Sequence, residues 1–128
     1  MHVLIVEDHP NDLRIASAAA LAAGFSEVDA KSSAALARVY LEKCLEGKES
    51  LPDAIVLDLD LGYDSGFELL RFWHANPQLA EIPVVVWTIM GDHYREICRM
   101  FHVKAYLSKS DDIAVLRTAL SGLTRNSA

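Results

Sequence analysis

Glu7 and Asp8 follow directly on the apolar run Val3 to Val6, and the run from Ala54 to Leu59 delivers Asp58 and Asp60 where it stops. Short apolar runs rich in strand-favouring residues, the second led in by Pro52, read as strands covered by helices on both faces, as parallel sheets require. The acids then stand at the carboxyl ends of strands, the edge at which open α/β sheets bind ligands. If the two strands lie parallel and adjacent, Glu7, Asp8 and Asp58 converge and oppose one another's ionisation. A hard divalent cation with oxygen ligands offsets such a charge, and Mg²⁺ takes one or two carboxylates together with waters and a phosphate oxygen. Either acid site alone has an ordinary reading as helix caps or solvated turn residues. The two together, with the partners below, point to a site.

The elements that must carry these residues alternate along the chain. Asn11 or Asp12 is expected to cap a first helix through Ala23, with Leu13, Ala16, Ala20 and Leu21 inward and Gly24 as its stop. A strand from Glu27 to Lys31 follows, then a helix opened by Ser32 or Ser33 and running to about Glu46, in which Ala37, Tyr40, Leu41 and Cys44 share a face. After the central strand, Gly62 to Ser65 reads as a loop and Gly66 to Ala75 as a third helix, ended at Asn76 and Pro77. Val84 to Thr88 is the most continuous β-branched run. A fourth helix starts at Gly91 or Asp92 with Tyr94, Ile97, Cys98 and Phe101 inward. Val103 to Leu107 makes the fifth strand, and Ser110 or Asp111 caps a last helix with Ile113, Leu116, Leu120 and Leu123 along one side. Five strands alternating with five helices imply right-handed crossovers and an α/β doubly wound parallel sheet.

The chain has 128 residues, long enough for one well-buried domain and short for two. With 18 acidic and 12 basic residues the net charge is −6 and no basic stripe forms, which argues against direct contact with nucleic acid. Met1 to Val6 lacks the pattern of a secretory signal, and the Ala-rich stretch from Ile15 to Phe25 is too short to span a bilayer, so the expected location is cytoplasmic, without membrane insertion. Cys44 and Cys98 lie on separate helices without CxxC spacing, which fits reduced, buried thiols. Cys98 and His102 are spaced to share a helix face, but no second pair completes a zinc site.

Three further residues fall at strand ends on the acidic edge: Thr88 closing the fourth strand, Tyr106 in the fifth and Lys109 just beyond it. Singly they read as a strand-end residue, a half-buried aromatic and a solvated amine. Their order is specific: an acid pair after strand one, Asp58 after strand three, a Thr thirty positions on, and a Lys after strand five with an aromatic three before it. In this the chain resembles the receiver domain of two-component response regulators, over essentially its whole length. The resemblance implies a flavodoxin-like (βα)₅ sheet with strand order 2-1-3-4-5, a receiver domain over 1–124, a frayed end at 125–128 and no output domain.

It also implies roles. Asp58 would be the phosphoacceptor, attacking a phosphohistidine on a histidine kinase or phosphotransfer protein. Asp8, Asp58 and the backbone carbonyl of Asp60 would hold Mg²⁺, with Glu7 acting through metal-bound water. Lys109 and Thr88 would grip phosphoryl oxygens, and Tyr106 would swing inward as Thr88 moves. The implied product is a signalling protein, not an enzyme acting on a separate substrate, that works on a downstream protein target or in a phosphorelay. Its changing surface would be helix four, strand five and helix five, which would also serve a dimer if the chain is not a monomer. The exposed part of helix one around Asp12, Arg14 and Ile15 would receive the histidine donor. The stretch Asn76 to Pro83 is similar to small receivers paired with phytochrome kinases.

Two departures carry expectations of their own. Ser110 follows Lys109 where the family usually has a cis proline; a cis bond before a non-proline residue costs about 3–4 kcal/mol, so a trans bond and an altered route for Lys109 are expected. Ile89 stands after Thr88 where the family has a small residue, which predicts narrowed access to Asp58 and slow phosphoryl exchange. Two other functions stay open: a pseudo-receiver that only binds protein, and a haloacid-dehalogenase-type phosphatase suggested by the Asp58-Leu59-Asp60 pattern.

Overall fold

Alternation of side chains along the strands decides what each face of the sheet covers. The strands are β1 (His2–Val6), β2 (Glu27–Lys31), β3 (Ala54–Leu57), β4 (Val84–Thr88) and β5 (Ala105–Ser108). The helices are α1 (Pro10–Ala22), α2 (Ala34–Leu45), α3 (Gly66–Ala75), α4 (Arg95–Met100) and α5 (Ile113–Arg125). Leu4, Val6, Ile55, Leu57, Val84 and Val86 point to one side, where Leu41 of α2, Leu70 and Trp73 of α3 and Cys98 of α4 meet them. Val3, Ile5, Val56, Val85 and Trp87 point to the other, against Ala16 and Ala20 of α1 and Leu116 and Leu120 of α5. Each such large side chain, once fully buried, stabilises the fold by about 1.5–3 kcal/mol. This is why the inner strands read as unbroken apolar runs rather than as alternating ones.

The computed structural model describes residues 1–62 and 64–125. The five strands form one parallel sheet, as their alternation with helices implied, in the order β2-β1-β3-β4-β5 that the family resemblance implied. Val6 sits beside Leu57, so Glu7 and Asp58 leave neighbouring strands at the same level. The amide of Asp58 donates to the Val6 carbonyl at 3.1 Å and that of Glu7 to Lys31 at 3.0 Å, extending the ladders into the acidic residues. Among the described residues no helix is long and apolar enough to cross a membrane. The expected frayed end lies, past Arg125, outside the described residues.

Local differences from the sequence reading have identifiable causes. α1 is capped by His9, whose ring accepts from the Asp12 amide with Pro10 at the first helical position, and not by Asn11 or Asp12. Leu21 is 56 % exposed, Ile97 43 % and Ile113 39 %, because the neighbouring Ala20, Cys98 and Leu116 already fill those helix–sheet contacts. The segment expected as a loop after β3 is a small antiparallel hairpin, Asp60–Leu61 against Asp64–Ser65, turned at Gly62 with φ +69°. Ser65 caps α3 and Asp64 accepts from the amide of Ala35, tying this hairpin to the start of α2. Pro77–Ala80 forms an additional helical turn, and α4 is entered through a 3₁₀ turn, Gly91–Tyr94. Cys98 is fully buried, while His102 ends the helix with φ +63° and stacks on His74, in keeping with packing rather than zinc binding.

Gly66 marks where the fold presses on the site. A Cβ there would lie 2.5 Å from the Asp58 carbonyl oxygen and 2.9 Å from Leu59 Cα, backbone atoms that cannot step aside. Gly66→Ala is expected to destabilise the fold by about 1–3 kcal/mol in urea unfolding. Gly122→Ala, in α5 with nothing within 4 Å of the new methyl, should instead raise stability by up to about 1 kcal/mol.

Candidate functional site

Strand ends of β1, β3 and β5 and the first turn of α1 surround one cavity of about 460 Å³ at the carboxyl edge of the sheet. Asp8, Asp12, Asp58, Asp60, Ile89 and Lys109 line it together with Glu7. Glu7 and Asp58 are buried, at 2 % and 4 % exposure, whereas Asp8 and Asp60 are exposed. Glu7, Asp8 and Asp58 each offer a carboxylate oxygen, and these atoms all lie within 4.8 Å of one another. Opposite ligands of an octahedral Mg²⁺ stand about 4.2 Å apart, so this all-oxygen set fits one small hard cation after minor side-chain adjustment.

Lys109 meets the same carboxylates. Its Nζ is 2.8 Å from Glu7 Oε1, 2.8 Å from Asp58 Oδ2 and 2.8 Å from Asp12 Oδ2, and 5.1 Å from the centre of the Trp87 ring. Asp58 Oδ1 accepts from the Asp60 amide at 3.1 Å, and Glu7 Oε2 from the His9 amide at 3.2 Å. Burial of Lys109 opposes its charge, but hydrogen bonds to Asp12, Asp58 and Glu7 outweigh that and hold its pKa above the ordinary lysine value. For Glu7, burial dominates; Lys109 pulls the other way, Asp58 adds repulsion, and the carboxyl is pushed up to about 7.

The Lys109–Ser110 bond is trans, as expected for serine, yet the route of Lys109 is not diverted from the acids. The turn is closed locally instead. Ser108 and Ser110 hydroxyls lie 2.6 Å apart, the Ser110 amide donates to Ser108 Oγ at 3.1 Å, and the Lys109 amide continues the ladder onto the Thr88 carbonyl at 2.9 Å. Side-chain hydroxyls thus hold the turn that an imide ring holds elsewhere. Ile89 stands at the rim, 70 % exposed.

Thr88 and Tyr106 are not brought into the cavity wall. Thr88 is fully buried at the end of β4, and its Oγ1 accepts from the Met90 amide at 3.4 Å. Tyr106 is already turned inward: its ring is buried, its hydroxyl donates to the Gly91 carbonyl, and the Arg95 guanidinium lies 5.0 Å over it while donating to the Tyr106 carbonyl. Sequence reasoning took Asp12 for a cap and a surface residue and missed it as a partner of Lys109. The signal was present, since a residue four beyond Asp8 on a helix that starts at the strand end points back toward that end. It was indistinguishable from an ordinary acidic first turn.

Comparison with known proteins agrees with this fold. Residues 3–121 match the response regulator receiver domain family. The two-component response regulator ORR1 of Oryza sativa is 36 % identical over 96 residues; the match takes in 73 % of this chain but 42 % of the rice protein. The response regulator Rcp1 of Synechocystis sp. is 31 % identical over 124 residues, covering 94 % of this chain and 84 % of Rcp1. The crystal structure of the Mn²⁺-bound form of response regulator Rcp1 superposes with a TM-score of 0.78 at 28 % identity, over 95 % of this chain and 90 % of that one. The phosphorylated cyanobacterial phytochrome response regulator RcpA superposes with a TM-score of 0.79 at 29 % identity, over 97 % of this chain and 91 % of that one.

The elevated Glu7 pKa has a sign that can be measured. Because the fold favours the protonated carboxyl, its contribution to stability is complete below about pH 4.5 and is lost as pH rises through about 7. In EDTA, the urea midpoint should therefore fall between pH 5 and pH 8. Glu7→Gln should flatten that slope, and the midpoint gained on adding Mg²⁺ to the natural protein should be larger at pH 8 than at pH 6.

Proposed function

The chain belongs to the response regulator receiver family, and on that premise we propose that it accepts a phosphoryl group on Asp58 from a phosphohistidine and signals through the resulting change of surface. Receivers of this family work with histidine kinases or phosphotransfer proteins, and they bind Mg²⁺ or Mn²⁺. The observation that carries the reading is the convergence of Glu7, Asp8 and Asp58 on one cavity with Lys109 Nζ 2.8 Å from Asp58. A carboxylate there can attack phosphorus as the P–N bond to the donor imidazole breaks, giving an acyl phosphate. Bound Mg²⁺ supplies positive charge to the transferring oxygens. Glu7 and Asp8, with Asp58 itself and the Asp60 carbonyl, are the residues that would hold it.

In this reading Lys109 offers its ammonium to a phosphoryl oxygen and keeps Asp58 oriented. The Asp60 amide on Asp58 Oδ1 leaves Oδ2, now on Lys109, as the oxygen from which the ammonium must partly withdraw. Thr88 is the further phosphoryl contact. To reach it, the hydroxyl gives up the Met90 amide, and Met90 leads into Gly91, whose carbonyl holds the Tyr106 hydroxyl. In this reading the Thr88-to-Gly91 segment and the 3₁₀ turn after it move with Thr88, and the inward Tyr106 ring packs beside them. Two charge-assisted hydrogen bonds of about 1.5–3 kcal/mol each supply a bias comparable with the roughly 5.5 kcal/mol that a shift from 1:99 to 99:1 takes. Met100 on α4 and Val115 on α5 are exposed and apolar, which supports a protein target or a second copy as the partner of these helices. Ile89 at the rim supports phosphoryl exchange slower than in receivers with a small residue there.

Intact-mass spectrometry after incubation with acetyl phosphate and Mg²⁺ tests the acceptor. A gain of about 80 daltons in the natural protein and none in Asp58→Asn is expected; a folded natural protein that gains nothing would be a binding module only. Hydrogen exchange with the phosphoryl mimic beryllofluoride should change most from Met90 through α4, β5 and the start of α5. An unaltered pattern there would remove the proposed switch.

A further inference from the structure

The Lys109 ammonium has three protons, and three carboxylates take them: Glu7, Asp58 and Asp12, each at 2.8 Å. Two of these, Glu7 and Asp58, belong to the group that can hold a cation, and Asp12 does not. A cation in the cavity repels the ammonium and competes with it for the same oxygens. A lysine with only those two partners would therefore either resist the cation or be driven from the cavity on its flexible stem. Asp12 stands outside that competition. It is fixed on the first turn of α1 beside His9, is 27 % exposed, and carries the third hydrogen bond on its Oδ2.

We infer that Asp12 is a positioning residue, which keeps the Lys109 ammonium at the cavity while Glu7 and Asp58 turn to the cation. The inference rests on reading the cavity as a cation-assisted phosphoacceptor site, and it assigns Asp12 a part in the step that prepares the site before phosphoryl transfer. Asp12 is the fixed anchor. With it in place, Lys109 releases the two shared carboxylates without leaving, and it stays within reach of the group that Asp58 receives. Without it, all three ammonium protons fall to Glu7 and Asp58, and the cation must displace them.

The test is a double-mutant cycle read by cation binding, not by activity. Mg²⁺ is titrated into the natural chain, Asp12→Asn, Lys109→Met and the double variant, followed by tryptophan fluorescence, since Lys109 lies over the Trp87 ring, and independently by the Mg²⁺-dependent rise in Tm. Asp12→Asn is expected to weaken Mg²⁺ binding about five-fold when Lys109 is present and by less than about two-fold when it is absent, the remainder being the screened loss of one nearby charge. Lys109→Gln replaces Lys109→Met if the latter does not fold. Equal weakening in both backgrounds, or none in either, overturns the role of Asp12 while leaving the cation site intact. Absence of any Mg²⁺ response in the folded natural chain overturns the cation site itself.

Discussion

Carboxylates brought together against their mutual repulsion are the constraint on which this molecule is built. The β1–β3 register sets Val6 beside Leu57 and so carries Glu7 and Asp58 to one level, both nearly out of contact with water. Two buried carboxyl groups and a third at the rim oppose one another's ionisation unless positive charge reaches them. Lys109 provides it by crossing from the end of β5, with all three of its protons engaged. The charge balance is therefore made between parts of the chain about a hundred residues apart, and it exists only in the folded state.

That balance also bears on the proposed change of occupants in the cavity. An ammonium shared among several carboxylates is held firmly as a set but by no single bond, so charge arriving at Asp58 redistributes existing contacts rather than creating a charged group in an apolar interior. The proposed switch would draw on contacts at the neighbouring strand end. Thr88, the Met90 amide, the Gly91 carbonyl, the Tyr106 hydroxyl and the Arg95 guanidinium form a continuous series from beside the cavity to α4. Each member is held by one or two hydrogen bonds, which makes the series shiftable at modest free energy.

The turn after Lys109 is a case of one local problem solved by different chemistry. Ser110 supplies neither a ring nor a cis bond, and the Ser108 and Ser110 hydroxyls close the turn through side-chain hydrogen bonds. The lysine reaches the acids nonetheless, because its backbone is already placed by the ladder bond to Thr88 and its long side chain spans the rest. A hairpin in place of the expected loop after β3 has a similar effect, since Asp60 lends its amide to Asp58 while Asp64 anchors the hairpin on α2.

Much of this was legible in the chain before any coordinates. Apolar runs ending in acids and glycine and proline punctuation are local patterns that specify strands, helices and their alternation, while the spacing of Thr88, Tyr106 and Lys109 from Asp58 carries the family resemblance that implied the sheet order. What they do not carry is which of several neighbouring groups wins a contact: His9 rather than Asp12 as the cap, Ala20 rather than Leu21 in the core, the Gly91 carbonyl as the partner of the Tyr106 hydroxyl, and Asp12 as the third partner of Lys109. Those outcomes depend on distances between residues remote in sequence, where burial and charge are decided by the packing of whole elements, and only the tertiary structure sums them.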